Sequence, residues 1–463
     1  MAKRYDSDPI QQQGFSSMTK TNHLRAALYG LAWLCLWLLA AGSASALAEC
    51  DAQPAGRHAI FFHPDGTSAG HWDVTRLLVA GPDGSLNWNR LPVITTYRGH
   101  MLDSLTATSN GGAVVHATGT RVHRASFGLD ERGQEVVAAD GTTRTLMQKA
   151  IECGLATALV QTGSLIEPGT AAYVAKVKDR YDDREEIAAQ IIASDVDYLL
   201  GAGERWLLPA GEQGRFIKGV RSDGRNLIKE AEDAGYVVVY TRDELLALPD
   251  DVERVLGVFA GEDTFHDQSE EALAEQGLPP FLPSAPSVAE MSRFVLERLS
   301  GHAAGSFAVI EEEGTDNMCN KMNAGGCLEA LRRADAAIGV ILEFIDREPG
   351  TFMVTTSDSN AGGMQINEVD SDTAPVPAVA RGSAAKLDGV AGSETRPFLS
   401  APDAQGRRFP FAVVWATGDD TGSGVIARAA GHDAAALLPS EGIANTDIYT
   451  MLHRTLFARQ QED

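Results

Sequence analysis

The sequence predicts an α/β fold: a three-layer sandwich with a large, mostly parallel central sheet flanked by helices on both faces. Three observations predict it. Short apolar runs recur along the chain, and several follow a segment of helical periodicity. Acidic residues stand where many of these runs stop, which is where open α/β sheets place their ligands. A chain of 463 residues, 44% hydrophobic and 22% charged, can bury the core that such a sheet needs.

The elements justify this reading in order. Residues 1–48 read as a leader and signal peptide: Arg25, an apolar run and small residues ending at Ala46-Leu-Ala48, with Met18 as an alternative start. Glu49 argues against a lipoprotein cleavage box at Cys50. Residues 49–463 form the predicted catalytic domain. His58–Phe62 is the first strand, ending at His63-Pro-Asp65-Gly66, and a helix is expected to follow. Thr157–Val160 follows the helical Arg144–Cys153 segment, and Asp197–Leu200 precedes a glycine turn. Tyr236–Tyr240, Arg254–Phe259, Phe307–Ile310, Thr351–Thr355 and Phe411–Ala416 supply further strands, with helices expected over Ser287–Leu299 and Cys327–Arg347. Residues 367–410, rich in Asp, Ser, Ala, Pro and Gly, read as an inserted loop or hairpin region.

Composition bounds the partners. The formal charge is −24, and removal of 1–48, with four basic and two acidic residues, takes it to −26. Such a chain repels nucleic acid and anionic lipid, and an anion pocket on it depends on local cations. No stretch after the signal peptide is long and apolar enough to span a bilayer, so no stable membrane insertion is expected. The leader implies a periplasmic or secreted location. Cys50, Cys153, Cys319 and Cys327 survive cleavage, and an even count in an exported chain suggests disulfides, 319 with 327 and 50 with 153. Buried free thiols are the rival reading; zinc–thiolate binding is disfavoured because no Cys-x-x-Cys pair occurs.

Asp65, Glu311 with Asp316, Asp358 and Asp419-Asp420 each follow an apolar run. A single strand-end aspartate is ordinarily a helix cap or turn former. Several converging carboxylates repel one another unless a cation neutralises them, so a multi-metal site is the leading explanation. Ser109, followed by Asn-Gly-Gly and an apolar helical run, would place its hydroxyl at a helix N-terminus that favours anions; a capping serine is the bland alternative.

Together these segments resemble the alkaline phosphatase family over roughly residues 57–458. The resemblance rests on Asp65-Gly66, on the Ser109 helix ending at Ala117-Thr-Gly119 with Gly128-Leu-Asp130 beyond it, and on Glu311-x4-Asp316. It extends through Thr356-Ser-Asp358 with Gly362-Gly363, Asp420-Thr-Gly422, and the closing segment Asn445–Leu452. It implies that Ser109 is the serine phosphorylated and then dephosphorylated by water, and that Arg180 grips phosphate oxygens. It implies metal ligands at Asp65, Glu167, Glu311, Asp316 and Asp358, with Ser109 joining them. The family's Thr ligand aligns with Gly169, and Thr170 is adjacent. Family members are commonly homodimers, so the resemblance implies a homodimer, while so acidic a chain could equally stay monomeric.

This chain departs from the family's pattern at three imidazole ligands, where it carries Asn320, Ser359 and Asp420. Each replacement offers oxygen, which suits Mg²⁺ first, with Ca²⁺ or Mn²⁺ open and Zn²⁺ less favoured. Tightly bound zinc would instead require recruited ligands such as His63, His71 or His116. Thr108 stands where the family has an aspartate that helps hold the arginine, which leaves the orientation of Arg180 open. Glu312 and Glu313 have no assigned role, and a solvated or outer position is the default. The expected activity is hydrolysis of small phosphomonoesters through phosphoserine. The alternatives are phosphodiester or phosphonate hydrolysis, or a non-catalytic metal- or phosphate-binding protein on the same scaffold.

Overall fold

β1 (His58–Pro64) is buried along its whole length, as a central strand covered on both faces must be. The structure, a computed structural model, describes Cys50 and residues 56–458. The expected signal peptide lies outside the described residues. Residues 56–458 fall in one compact unit, Pro54–Asp463.

In chain order its remaining strands are β2 (Val93–Arg98), β3 (Ala156–Ser164), β4 (Tyr198–Ala202), β5 (Val237–Val239), β6 (Val255–Val258), β7 (Ser306–Glu312) and β8 (Thr351–Thr355). Then come β9 (Asn360–Ala361), β10 (Gln365–Glu368), β11 (Leu387–Asp388), β12 (Phe398–Leu399), β13 (Pro410–Val414), β14 (Asp420–Thr421), β15 (Ile426–Gly431) and β16 (Ile443–Ala444). The main sheet has ten strands in the order β16-β2-β15-β8-β1-β7-β3-β4-β6-β5. Its ladders are parallel except those of β15, which runs antiparallel to both β2 and β8.

Two helical layers cover the sheet, and strand alternation decides which residues meet each. Ala59 and Phe61 face the layer that contains helices Ser109–Thr118 and Thr446–Phe457; Ile60 and Phe62 face the layer of Val288–Leu299 and Ala324–Arg347. Both phenylalanines are fully buried, worth roughly 2–3 kcal/mol each. Because β1 lies between β7 and β8, the carboxyl ends of all three strands meet at one place. The chain leaves β1 toward β2 on one side and reaches β3 on the other, which opens the crevice that α/β sheets use for ligands.

Two sequence expectations need correction. The Phe411 run is no strand of the main sheet: β13 pairs antiparallel with β10, β11 and β12 in a separate small sheet. Apolar alternation identifies a strand but not its sheet. Conversely, the apolar pattern gives no signal for β2, β15 and β16. β2 alternates Thr95 and Tyr97 inward with exposed Thr96 and Arg98 outward, and β15 is largely alanine and glycine around Arg428, so neither forms an apolar run.

Cys319 and Cys327 are joined by a disulfide, and Cys50 and Cys153 are each disulfide-bonded. The first bridge ties the helix carrying Asp316 and Asn320 (Gly314–Asn320) to the long helix Ala324–Arg347. Replacing both cysteines by serine is expected to lower stability by about 2–3 kcal/mol, the value for so short a closed loop, measured by denaturant unfolding. An unchanged unfolding midpoint would show that packing alone holds this corner.

Candidate active site and metal centre

The end of β1 carries His63 and Asp65, β7 ends in Glu311-Glu312, followed by Glu313, and Asp358 lies three residues beyond β8. Parallel pairing sets His63 directly beside Glu311. His63 Nδ1 lies 3.2 Å from Glu311 Oε1, and its Nε2 lies 3.7 Å from Asp65 Oδ1 and 3.9 Å from Asp358 Oδ1. All four side chains are buried.

Ser109 is the first residue of its helix; Thr108 holds the capping position and donates its hydroxyl to the Arg124 carbonyl at 2.6 Å. Ser109 therefore does not cap: its Oγ donates to Asp65 Oδ2 at 3.0 Å, while Asp65 Oδ1 accepts from Gly66 N at 2.8 Å. Gly112 lets the helix approach this closely, since a Cβ there would fall 2.6 Å from Asp358 Cβ.

Asp316 comes from the helix after β7, and Asp420 arrives on β14, whose ladder with β9 places it beside Ala361. Asn320 bridges the two aspartates, donating Nδ2 to Asp316 Oδ1 at 3.0 Å and to Asp420 Oδ1 at 3.1 Å. Its carbonyl accepts from Gly362 N at 3.1 Å. Ser359 Oγ is buried near Asp420 without a well-formed hydrogen bond.

Burial, followed by the charge of its neighbours, pushes Asp316 and Asp358 well above the usual carboxylate range, and Asp420 upward as well. Burial also lifts Glu311 and Glu312 to about 7 and Glu313 well above its ordinary value. Asp65 behaves oppositely: burial pushes it up, but His63, the neighbouring Asp358 and the bonds from Ser109 and Gly66 outweigh this and lower it. Burial alone would lower His63, yet Asp65 and Glu311 raise it. Asp358 Oδ2, Glu311 Oε2, Glu313 Oε2 and His63 Nε2 are buried with no hydrogen-bond partner. Unpaired buried acceptors are costly, so this donor set fits cations. His63-Asp65-Glu311 and Asp65-Glu313-Asp316 each present ligand atoms within 4.8 Å of one another.

A cavity of about 440 Å³ opens over this cluster, lined by Ser109, Arg180, Glu313, Asp316 and Asp420 among others. Arg180 is paired with Glu167 and donates to Asn110 Oδ1 at 3.2 Å. Its guanidinium stays charged beside Glu167 and Glu313 although it is largely buried.

The model of the alkaline phosphatase family matches residues 57–391. The chain belongs to the alkaline phosphatase family. It is 26% identical to alkaline phosphatase 4 of Bacillus subtilis over 259 residues, 54% of this chain and 48% of that protein, so the match spans about half of that relative's length. It is 27% identical to streptomycin-6-phosphate phosphatase of Streptomyces griseus over 374 residues, 72% of this chain and 80% of that protein. Among solved structures it superposes on Thermus thermophilus alkaline phosphatase with a TM-score of 0.66 at 21% identity, covering 88% of this chain and 92% of the other. The enzyme from the Antarctic bacterium TAB5 gives a TM-score of 0.64 at 16% identity, covering 86% and 97%.

Within the family's pattern, the altered positions have definite surroundings here. Gly169 leaves room that the Glu311 carboxylate fills: a Cβ there would lie 1.6 Å from Glu311 Oε1. Thr170 Oγ1 accepts from Gln161 Nε2 at 2.5 Å. Asn110 and Glu167 hold Arg180, the task of the family's aspartate at position 108. Asn320 turns its NH₂ toward the carboxylates, because the Gly362 N–H claims its carbonyl. His71 is engaged with Ser68 and the Ala361 carbonyl, and His116 with Tyr97.

Glu312 and Glu313 are not solvated. Glu312 accepts from the Thr162 hydroxyl and from Gly314 N, and Glu313 lines the cavity. Charge suggested solvent, but a strand that continues two residues past its apolar run carries Glu311 and Glu312 inward. His63 had one available signal: it ends a strand on the same face as Ala59 and Phe61.

Proposed function

We propose that this chain is a divalent-metal-dependent phosphomonoesterase that works through a phosphoserine at Ser109 and acts in the periplasm or outside the cell. One observation carries the reading: Ser109 Oγ, the Arg180 guanidinium and a set of buried carboxylates converge on one cavity. The disulfide-bonded cysteines support an oxidising compartment. Among the described residues no helix is long and apolar enough to cross a membrane.

The chain's own residues divide the work. Asp65 Oδ2 takes the hydrogen bond of the Ser109 hydroxyl and orients its oxygen toward the cavity. The Ser109 oxygen displaces the alcohol from phosphorus in line, forming the O–P bond as the ester bond breaks; the hydroxyl gives up its proton and the departing alkoxide takes one up, so no net proton is consumed. The planar Arg180 guanidinium binds two equatorial phosphoryl oxygens, with Asn110 and Glu167 setting its plane. Water then cleaves the phosphoserine and frees Ser109. Bound divalent cations would supply Lewis-acid charge and a lowered pKa for the attacking oxygens. Asp316 and Asp420 would hold one cation, and Asp65, Asp358 and Ser109 another, with Ser359 at its edge. Carboxylate oxygens around the first position favour Mg²⁺, then Ca²⁺ or Mn²⁺, over Zn²⁺.

The test is chelation followed by reloading with each of Mg²⁺, Ca²⁺, Mn²⁺ and Zn²⁺, then assay against a phosphomonoester, a phosphodiester and a phosphonate. The monoester should turn over best, and with one of the first three ions. Cation and phosphate binding without turnover of any substrate would make the chain a binding protein, and a preferred diester or phosphonate would overturn the monoesterase reading.

Arg180→Ala is expected to weaken inhibition by inorganic phosphate about 10–100-fold while leaving metal content unchanged, because two charge-assisted bonds are lost. Unaltered phosphate inhibition would remove Arg180 from the anion site.

A further inference from the structure

We propose that His63 is a metal ligand in this chain, its Nε2 sharing one divalent cation with Asp65 and Asp358 while Glu311 holds its Nδ1–H. The inference rests on the reading that the acidic cluster binds divalent cations, and it assigns to that cluster an imidazole at a position where the family's pattern supplies none.

The ring is fully buried at the end of β1, so solvent cannot satisfy its nitrogens. Nδ1 has a partner, Glu311 Oε1 at 3.2 Å, and an ionised carboxylate can only accept. When a cation keeps Glu311 ionised and displaces any proton from Nε2, the ring's remaining proton sits on Nδ1 and the Nε2 lone pair faces the cation. Nε2 has no hydrogen-bond partner, and nor does Asp358 Oδ2. Nε2 stands 3.7 Å from Asp65 Oδ1 and 3.9 Å from Asp358 Oδ1. Metal–ligand bonds of about 2.0–2.2 Å put two ligands of one ion roughly 3–4 Å apart, so these three groups are spaced to share one.

The carboxylate, the imidazole and the open nitrogen make the arrangement by which metal-binding histidines are ordinarily oriented. Neighbouring elements leave it undisturbed: Phe61 and His116 pack on the ring at centroid distances of 5.5 and 5.7 Å, and His116 Nε2 is engaged with Tyr97. Ser359 occupies the position of the family's imidazole beside Asp358, so a ring from β1 would restore one nitrogen ligand from the opposite side. The two cation positions then differ. The one at Asp65 and Asp358 becomes a mixed nitrogen–oxygen site suited to Mn²⁺ or Zn²⁺, whereas the one at Asp316 and Asp420 offers oxygen alone.

The experiment uses Mn²⁺ as the probe on the whole chain, because its electron spin-echo modulation reports directly bound ¹⁴N without any turnover. Wild-type protein titrated with Mn²⁺ should show imidazole ¹⁴N modulation, and His63→Gln should abolish it. Glu311→Gln should retain the modulation while weakening Mn²⁺ affinity about 10–100-fold, as loss of an orienting carboxylate does. Bound Mn²⁺ without ¹⁴N modulation in the wild type, or modulation that survives in His63→Gln, would overturn the assignment of His63 alone. The first of these needs no variant, so a poorly folding mutant leaves the decision intact. A wild-type chain that binds no Mn²⁺ at all would instead overturn the cation reading on which the inference rests.

Discussion

Ser109→Ala is expected to lower phosphomonoester turnover on the order of 10³-fold or more, because the covalent route disappears while bound cations can still activate water. The fold should tolerate the change. Alanine suits the first turn of a helix, and the lost group makes a single hydrogen bond, to Asp65 Oδ2, worth about 1 kcal/mol. Catalysis and stability are thereby separated by magnitude: a barrier increase of roughly 4 kcal/mol or more against a stability change of about 1. Rapid quench with a ³²P-labelled monoester should trap phosphoprotein in the wild type and none in the variant. A variant that turns over within about tenfold of wild type, at equal metal content, would exclude Ser109 as nucleophile.

Metal removal is the second large effect, and its sign depends on pH. In the metal-free chain Glu311 and Glu312 are pushed up to about 7, and Asp316, Asp358 and Asp420 are also raised. A carboxyl whose folded value lies above its unfolded value contributes stability below the unfolded value and loses it as pH rises through the folded one. Chelated protein should therefore melt at the highest temperature near pH 5 and fall steadily toward pH 8, where the crowded carboxylates are charged. Asp65, which is lowered, is ionised in both states over this range and leaves the trend unchanged, while His63, which is raised, adds to it. Cations favour the ionised cluster, and two of them, each at about 100 times its dissociation constant, add roughly 5 kcal/mol. Reloading at pH 8 should raise the melting temperature on the order of 10 °C and flatten its pH dependence. Calorimetry with and without chelator checks this. A chelated melting temperature that does not change between pH 5 and 8 would mean the cluster is not held under charge strain.

The legible and hidden parts of the site differ in range. Asp65, Ser109, Glu311, Asp316 and Asp358 were readable because each follows an apolar run or opens a helix, both local signals. Asp420 was readable as acidic, but its route was not: it comes from β14 beside β9, and the Phe411 run that precedes it in sequence belongs to another sheet. His63 and Glu311 stand far apart in sequence and meet through the register of two parallel strands, which no local pattern encodes. Arg180 was readable only through family resemblance, and its partners Asn110 and Glu167 depend on where the chain returns after β3.

By itself the sequence determined the fold class, the order of most central strands and helices, the chemical character of the acidic cluster and the candidate nucleophile. These follow from periodicity, helix-terminal residues and composition, all properties of neighbours along the chain. Tertiary structure decided that Glu312 and Glu313 point inward, that Asn320 offers its NH₂ and not its carbonyl, that Glu311 fills the space left by Gly169, and that His63 joins the cluster. Each of these is set by strand register, by competition from a backbone donor such as Gly362 N, or by close packing across tens to hundreds of residues, and those constraints exist only once the sheet has formed.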